Sequence, residues 1–132
     1  MTPEGLIVRA SRHEPKETMD RLAAAVTKRG AAVVARVDHA AAAGTVGLAL
    51  APTEVLIFGN PRAGMPLMQA AQTIGIDLPL RALVWRDAAG AVHVGYNDPD
   101  WLARRHGAVA GHEAVLKAMA DFLAAVAEEA AR

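Results

Sequence analysis

The sequence predicts an α+β fold: a single domain over residues 1–132 in which helices pack against a mixed, largely antiparallel sheet. Short β-branched or alternating apolar runs, typical of strands, are separated by segments whose apolar residues recur every three or four positions, as in helices. Two of these strands, at 82–86 and 92–96, are joined by a short link that contains residues 87–90 and suits a hairpin. A length of 132 residues is enough for one hydrophobic core.

The first half of the chain begins with a predicted strand, helix and strand. Pro15 stands at the first helical position, where a missing N–H is harmless, and Gly30 ends the helix. From Ala32 to Asp38 apolar residues alternate, which predicts a strand with one face buried. The alanine-rich segment 40–50 contains two glycines, so we expect a short helix followed by irregular chain. The predicted strands of this half are at 6–10, 32–38 and 54–58.

The third strand leads into a turn rich in glycine, asparagine and proline, Gly59–Gly64. A second proline, Pro66, predicts the start of a helix that continues to Ile74 and closes at a left-handed Gly75. Such a corner brings backbone N–H groups and a helix N-terminus close to a ligand, and Arg62 adds a positive charge. The alternative is that the glycines only provide the dihedral angles that the turn requires.

The second half of the chain is predicted to end in two helices. Asp98 and Pro99 form a strong helix start, and Gly107 follows a basic last turn. The final helix, at about 112–131, carries a broad apolar stripe and therefore packs against the domain. Two glutamates near its C-terminus oppose the helix dipole, so we expect its end to fray.

Composition excludes several function classes. Lys+Arg and Asp+Glu both number 14, so no net charge attracts nucleic acid or an anionic membrane. The absence of cysteine removes disulfides, thiolate nucleophiles and cysteine-ligated zinc. The uncharged stretch 40–53 is shorter than the roughly 20 apolar residues of a membrane span, and charges interrupt the region where a signal peptide would lie. We expect a cytoplasmic protein that binds neither nucleic acid nor membrane.

Several spaced blocks together resemble the domain of unknown function 302 family. The blocks are Ile57–Gly64, Pro66–Gln69, Ile74–Leu80 and Tyr96–Pro99, with Asp38–His39, Leu83–Trp85 and Arg105–Gly107 in addition. The resemblance covers a core of about 9–107 and implies a compact α+β domain, commonly a dimer, in bacteria and archaea, without a settled activity. The family pattern has Thr before the second proline where this chain has Met65, so a hydroxyl that could cap the helix or bind a ligand is missing.

Residues at three predicted strand ends are the candidate ligand-binding residues. The hypothesis is that the sheet brings these ends to one cavity. The candidates are His39, Asn60, Arg62, Gly64, Tyr96 and Asn97.

His39 follows a strand end beside an acid, so it could act as a base or as a metal or haem ligand. Met65 and Met68 are interpreted as core residues, with the alternative that their thioethers lie near His39 and suit a soft metal or haem iron. Alternatively, Asp38 only caps the next helix and His39 is structural. The other histidines lack tight ligand spacing, so a mononuclear zinc enzyme is not predicted.

Two function classes remain. The favoured one is a homodimeric small-molecule-binding module for an apolar metabolite or haem, because convergent catalytic groups are sparse. The dimer is expected since open sheet edges are protected when two chains pair. The alternative is a small enzyme in which His39 is the general base while Asn60 and Arg62 orient an anionic substrate. A purely structural or partner-binding role is third.

Overall fold

The computed structural model describes residues 2–132. Strands and helices alternate through the first two thirds of the chain, and two helices complete it. The elements are β1 (Leu6–Ser11), α1 (Pro15–Lys28), β2 (Ala32–Asp38), α2 (His39–Thr45), β3 (Thr53–Gly59), α3 (Pro61–Ala70), a 3₁₀ turn (Gln72–Ile76), β4 (Leu80–Arg86), β5 (Val92–Asn97), α4 (Pro99–His106) and α5 (Glu113–Ala131).

The strands form one sheet in the order β1-β5-β4-β3-β2, and every neighbouring pair is antiparallel. The α+β prediction is confirmed, with a sheet that is antiparallel throughout rather than mixed. The predicted hairpin is β4–β5, whose link is held by the side chain of Asp87, which accepts hydrogen bonds from the N–H groups of Ala89 and Ala91. β1 and β2 are the two edge strands, and α1 connects them.

The main core lies between one face of the sheet and the helices α1 and α5. Paired residues of adjacent strands share a face, so Leu56 and Phe58 of β3 point the same way as Ala82 and Leu80 of β4. Helical residues spaced three and four apart meet them from the other side. The fully enclosed side chains of this core include Met19, Leu22, Val26, Leu56, Phe58, Val84, Val94, Leu123 and Val126.

The prediction that a helix begins at Pro66 is wrong, because α3 begins five residues earlier, at Pro61. Asn60 is its N-cap and Pro61 its first residue, a stronger start than Met65–Pro66. Pro66 lies inside the helix, where it removes one backbone hydrogen bond without ending it. Gly75 lies within the 3₁₀ turn and is not left-handed, contrary to the prediction.

β2 differs from the predicted half-buried strand, because most of its residues are exposed. It lies at the sheet edge and its register shifts between Val33 and Ala35. The alternating pattern therefore marks a strand but not a buried face. This edge also leaves Val34 63% exposed.

The C-terminal end of α5 is held in place, contrary to the predicted fraying. Arg21 of α1 donates hydrogen bonds to the carbonyl oxygens of Glu129, Ala130 and Arg132 at 2.8–3.2 Å. Glu129 pairs with Arg29, so its charge is compensated by α1 rather than left against the helix dipole.

Candidate functional site

Two adjoining cavities flank the corner between β3 and α3. The first has a volume of about 310 Å³ and lies between the corner, the end of α1 and α5. The second, of about 400 Å³, lies between the corner, the start of β2, α3 and the segment Leu78–Pro79. Their shared wall consists of Gly59, Asn60, Ala63, Leu80 and Met119.

Local sequence builds this corner. The side-chain oxygen of Asn60 accepts the N–H of Arg62 at 3.0 Å, and its backbone oxygen accepts the N–H of Ala63 at 2.9 Å. Gly64 is buried, and a Cβ there would lie 3.3 Å from the Leu78 side chain. Gly64 therefore keeps space open between α3 and the wall of the second cavity.

The linings are mainly apolar. The second cavity is bounded by the aliphatic or thioether side chains of Val34, Met65, Met68, Leu78 and Met119, among others. The first contains Val115, Ala118, Met119 and Phe122 from α5, together with the polar residues Arg29, Asn60 and Arg62. A ligand of either cavity would therefore bury mostly hydrocarbon.

The two arginines of the first cavity are not equivalent. Arg29 pairs with Glu129, and its hydrogen bond holds the pKa of that carboxyl below the usual value, so its positive charge is already compensated. Arg62 is exposed, and its side chain has no ion pair or hydrogen bond among residues 2–132. Arg62 is thus an uncompensated positive charge at the cavity.

The structure does not bring His39 to this site. β2 runs antiparallel to β3, so Ala32 pairs with Gly59 at one end and Asp38 with Glu54 at the other. At roughly 3.3 Å per residue, His39 lies about 20 Å along the sheet from the corner. Its side chain is exposed, and Asp38 caps α2 by accepting the N–H of Ala41 at 2.9 Å.

A third, more polar groove of about 540 Å³ lies at the His39 end of the sheet, although His39 does not line it. Most of its charged residues are already paired: Arg36 with Glu54, Arg86 with Glu14, and Lys16 with Asp20 beside the groove. The groove therefore offers little free charge to a ligand.

Tyr96 and Asn97 lie at the same end of the sheet as Asn60 but line neither cavity. Tyr96 is 8% exposed, and this burial raises the pKa of its hydroxyl. Asn97 borders a narrow crevice with Asp77 and Leu102. Of the candidates, three lie at one corner: Asn60 borders both cavities, Arg62 the first and Gly64 the second. The other candidates, His39, Tyr96 and Asn97, line neither cavity.

Sequence reasoning missed a polar cluster between the 3₁₀ turn and α4. Nε2 of His106 lies 2.6 Å from Oδ2 of Asp77, and Nδ1 lies 2.8 Å from the Thr73 hydroxyl. Arg105 donates to both Asp77 oxygens at 3.0 and 2.8 Å. Asp77 and the Arg105–His106 pair both lie in sequence blocks that carry the family resemblance. These blocks were the sequence signal from which the cluster could have been found. Sequence reasoning also missed that α5 forms one wall of the first cavity. The apolar stripe of α5 predicts that the helix packs against the domain, and it does not distinguish core residues from cavity-lining residues.

Residues 2–132 contain neither a metal-binding cluster nor a membrane-spanning helix. No group of three or more His, Cys, Asp or Glu side chains there is placed to hold a metal ion. In that same part of the chain, none of the helices is long and apolar enough to cross a membrane.

Comparisons with known proteins agree with the fold. A crystal structure of an uncharacterized conserved DUF302 protein from Bacillus stearothermophilus superposes with a TM-score of 0.85 at 19% identity, covering 97% of this chain and 99% of that chain. Such low identity supports the fold alone.

Curated relatives match in sequence. Proteins named fluoride-specific ion channel FluC 1, from Brucella suis and Brucella abortus, are 47% identical over 127 residues, or 96% of this chain. The matched region is 50% and 47% of their respective lengths, so the chain spans about half of these relatives. The family described as Domain of unknown function DUF302 matches residues 7–126. Because this match covers most of the chain, the protein belongs to the DUF302 family.

Proposed function

We propose that this protein is a homodimeric module that binds a small apolar molecule carrying an anionic group. The observation that carries the proposal is the pair of adjoining apolar cavities, about 310 and 400 Å³, with the uncompensated charge of Arg62 at the first. Ligand sites typically have volumes of about 300–1,000 Å³, apolar walls and a few polar groups that orient the ligand.

The apolar lining selects the body of the ligand. Burial of hydrocarbon contributes about 25 cal/mol per Å², and the walls leave few buried polar groups that a ligand would have to satisfy. Among the described lining residues there is no histidine, and Met65 and Met68 are at the opposite end of the sheet from His39. This favours an apolar metabolite over haem.

Arg62 and the N-terminus of α3 favour a negative group on that ligand. A helix N-terminus attracts anions, and an unpaired guanidinium binds a carboxylate with charge-assisted hydrogen bonds. The enzyme hypothesis has less support, because His39 lies about 20 Å from Asn60 and Arg62 and cannot act on a group they orient.

The second copy of the chain is proposed to pair along β2. This edge strand presents exposed Val33, Val34 and Val37, and unpaired edges favour strand addition. A twofold axis can pair the strand with itself. Val34 also lines the second cavity, so a partner on this edge would cover the cavity mouth and complete the site.

The binding proposal is tested with decanoate and 1-decanol as paired probes in thermal denaturation and calorimetry. Decanoate should stabilise the protein more than decanol, and Arg62→Gln should remove the difference. Ala63→Leu places a larger side chain in the shared wall and should weaken both probes at least tenfold. Arg104→Gln, which removes another exposed charge, is the matched control and should leave the stabilisation by each probe unchanged. No stabilisation by either probe, or equal loss in the control, would overturn the proposal.

The dimer is tested by light scattering at micromolar concentration. The wild-type protein should have twice the chain mass, and Val34→Lys should give monomers because a charge at the edge opposes strand pairing. Ile76→Lys, at another exposed apolar residue, should remain dimeric. A monomeric wild-type protein would contradict this part of the proposal.

A second candidate function rests on the Brucella relatives. This chain is 47% identical to a region that makes up about half the length of proteins named fluoride-specific ion channels. In this second proposal, the chain is a module that regulates fluoride export. The test replaces the matching half of a Brucella protein with this chain and measures fluoride efflux from cells. The exchange should preserve efflux, whereas deletion of that half should change it. Equal efflux with and without the matched half would exclude this function.

A further inference from the structure

The cluster of Thr73, His106 and Asp77 forms a hydroxyl–imidazole–carboxylate relay that lines neither of the two cavities. We propose that it is a separate acyl-transfer site for small activated esters. Thr73 is the nucleophile, His106 is the general base, and Asp77 is a positioning residue. A nucleophile bonded to a base, which a third group orients, is the arrangement that activates a hydroxyl.

The partners of Asp77 determine which nitrogen of His106 accepts a proton. Asp77 receives two hydrogen bonds from Arg105, so it is the acceptor in its 2.6 Å contact with Nε2. Nε2 therefore donates, and in the neutral imidazole Nδ1 is left as the acceptor. The Thr73 hydroxyl, 2.8 Å away, donates to Nδ1, so its oxygen lone pairs face away from the base.

Burial separates the roles of the three residues. The His106 side chain is 8% exposed and that of Asp77 17%, so the base and its orienting group are shielded from water. Thr73 is exposed and reachable by a substrate. Strong hydrogen bonds on both sides keep the imidazole in one orientation.

The other histidines of the described chain lack this arrangement. His93 has a similar contact with Asp87 at 2.7 Å, but its ring lies against Trp85 at a tilt of 33° and bonds no hydroxyl. His13 and His112 contact backbone carbonyls, and the exposed side chain of His39 makes no hydrogen bond to the described residues. Within residues 2–132, the hydroxyl–imidazole bond is therefore specific to His106.

The reaction balances with ester and water alone. The Thr73 oxygen attacks the acyl carbon while its proton moves to Nδ1 of His106; the carbon–oxygen bond of the ester then breaks, and the alcohol leaves with that proton. Water attacks the acyl-threonine, again giving a proton to Nδ1. The Thr73 oxygen leaves with this proton, and the carboxylic acid is released.

The proposal is tested with p-nitrophenyl acetate, by following nitrophenolate release and locating the acetyl group by peptide mass spectrometry. Acetyl-Thr73 should form in the wild-type protein. Thr73→Ser should retain acetylation at residue 73, whereas Thr73→Val, of the same shape without a hydroxyl, should abolish it. His106→Gln, which can still contact Asp77, should slow it by about 10²–10⁴. Asp77→Asn should slow acetylation, and the acetyl group should still be found on Thr73.

Thr45→Val is the matched control, since Thr45 is an exposed threonine whose hydroxyl bonds only the carbonyl of Ala42. It should react like the wild-type protein. Acetyl groups found only on lysines, or equal rates for wild type and Thr73→Val, would overturn the proposal. If His106→Gln does not fold, as judged by circular dichroism, the Val and Ser variants at exposed Thr73 decide the question.

Discussion

Replacing Arg21 by methionine should release the C-terminus of α5. Arg21 donates to the carbonyl oxygens of Glu129, Ala130 and Arg132 at 2.8, 3.2 and 3.2 Å, and two of these bonds are partly buried. A hydrogen bond to a charged group contributes about 1.5–3 kcal/mol, and less where water competes. Methionine keeps a similar stem, so the free energy of unfolding should fall by about 2–3 kcal/mol.

Urea denaturation measures this loss, and hydrogen exchange locates it. Exchange should accelerate in the last turn of α5, where Ala130 and Ala131 are otherwise 0% and 4% exposed. Arg12→Met is the control, because Arg12 is exposed and its side chain makes no hydrogen bond in residues 2–132; its effect should stay within about 0.5 kcal/mol. An unchanged midpoint for Arg21→Met, with exchange of the last turn unaltered, would refute the reasoning.

Three further predictions concern backbone and charge. Gly5→Ala should lower stability by roughly 2–4 kcal/mol in urea denaturation, since φ is +80° and the new Cβ would lie 2.4 Å from Trp101; an unchanged midpoint refutes it. The hydrogen bond from His93 holds the pKa of Asp87 below its usual 3.8, so Asp87 stabilises the fold above that pH and the benefit is lost as pH falls through the lower folded-state value. The stability gap between wild type and Asp87→Asn should therefore close between pH 7 and strongly acidic pH; a constant gap contradicts this. Gly44→Ala adds a methyl in open space on α2 and should raise stability by about 0.5–1 kcal/mol; a lower melting temperature would contradict it.

Short-range signals explain the confirmed parts of the fold. Asp98 caps α4, Pro99 begins it, and Gly107 ends it with φ of 70°, as the residue types indicate. The β4–β5 hairpin follows in the same way from a short link. Each feature depends on a few neighbouring residues whose backbone preferences agree.

The sequence predictions were wrong where two local signals competed for the same helix start, or where a residue distant in the chain stabilised a helix end. Asn60–Pro61 and Met65–Pro66 are both helix starts, and the asparagine cap decided in favour of the first. The end of α5 depends on Arg21, more than a hundred residues earlier in the chain. No local pattern around residue 129 contains that information.

For the site, the sequence by itself determined that a turn with Asn60, Arg62 and Gly64 follows the third strand and that Arg62 brings a positive charge to it. Tertiary structure alone decided what faces this corner. Antiparallel pairing of β2 with β3 sent His39 to the far end of the sheet, while α5 supplied one wall of the first cavity. It also placed His106 beside Thr73 and Asp77. Caps and turns follow from local backbone energetics, whereas cavities and relays depend on strand order and helix packing between distant segments.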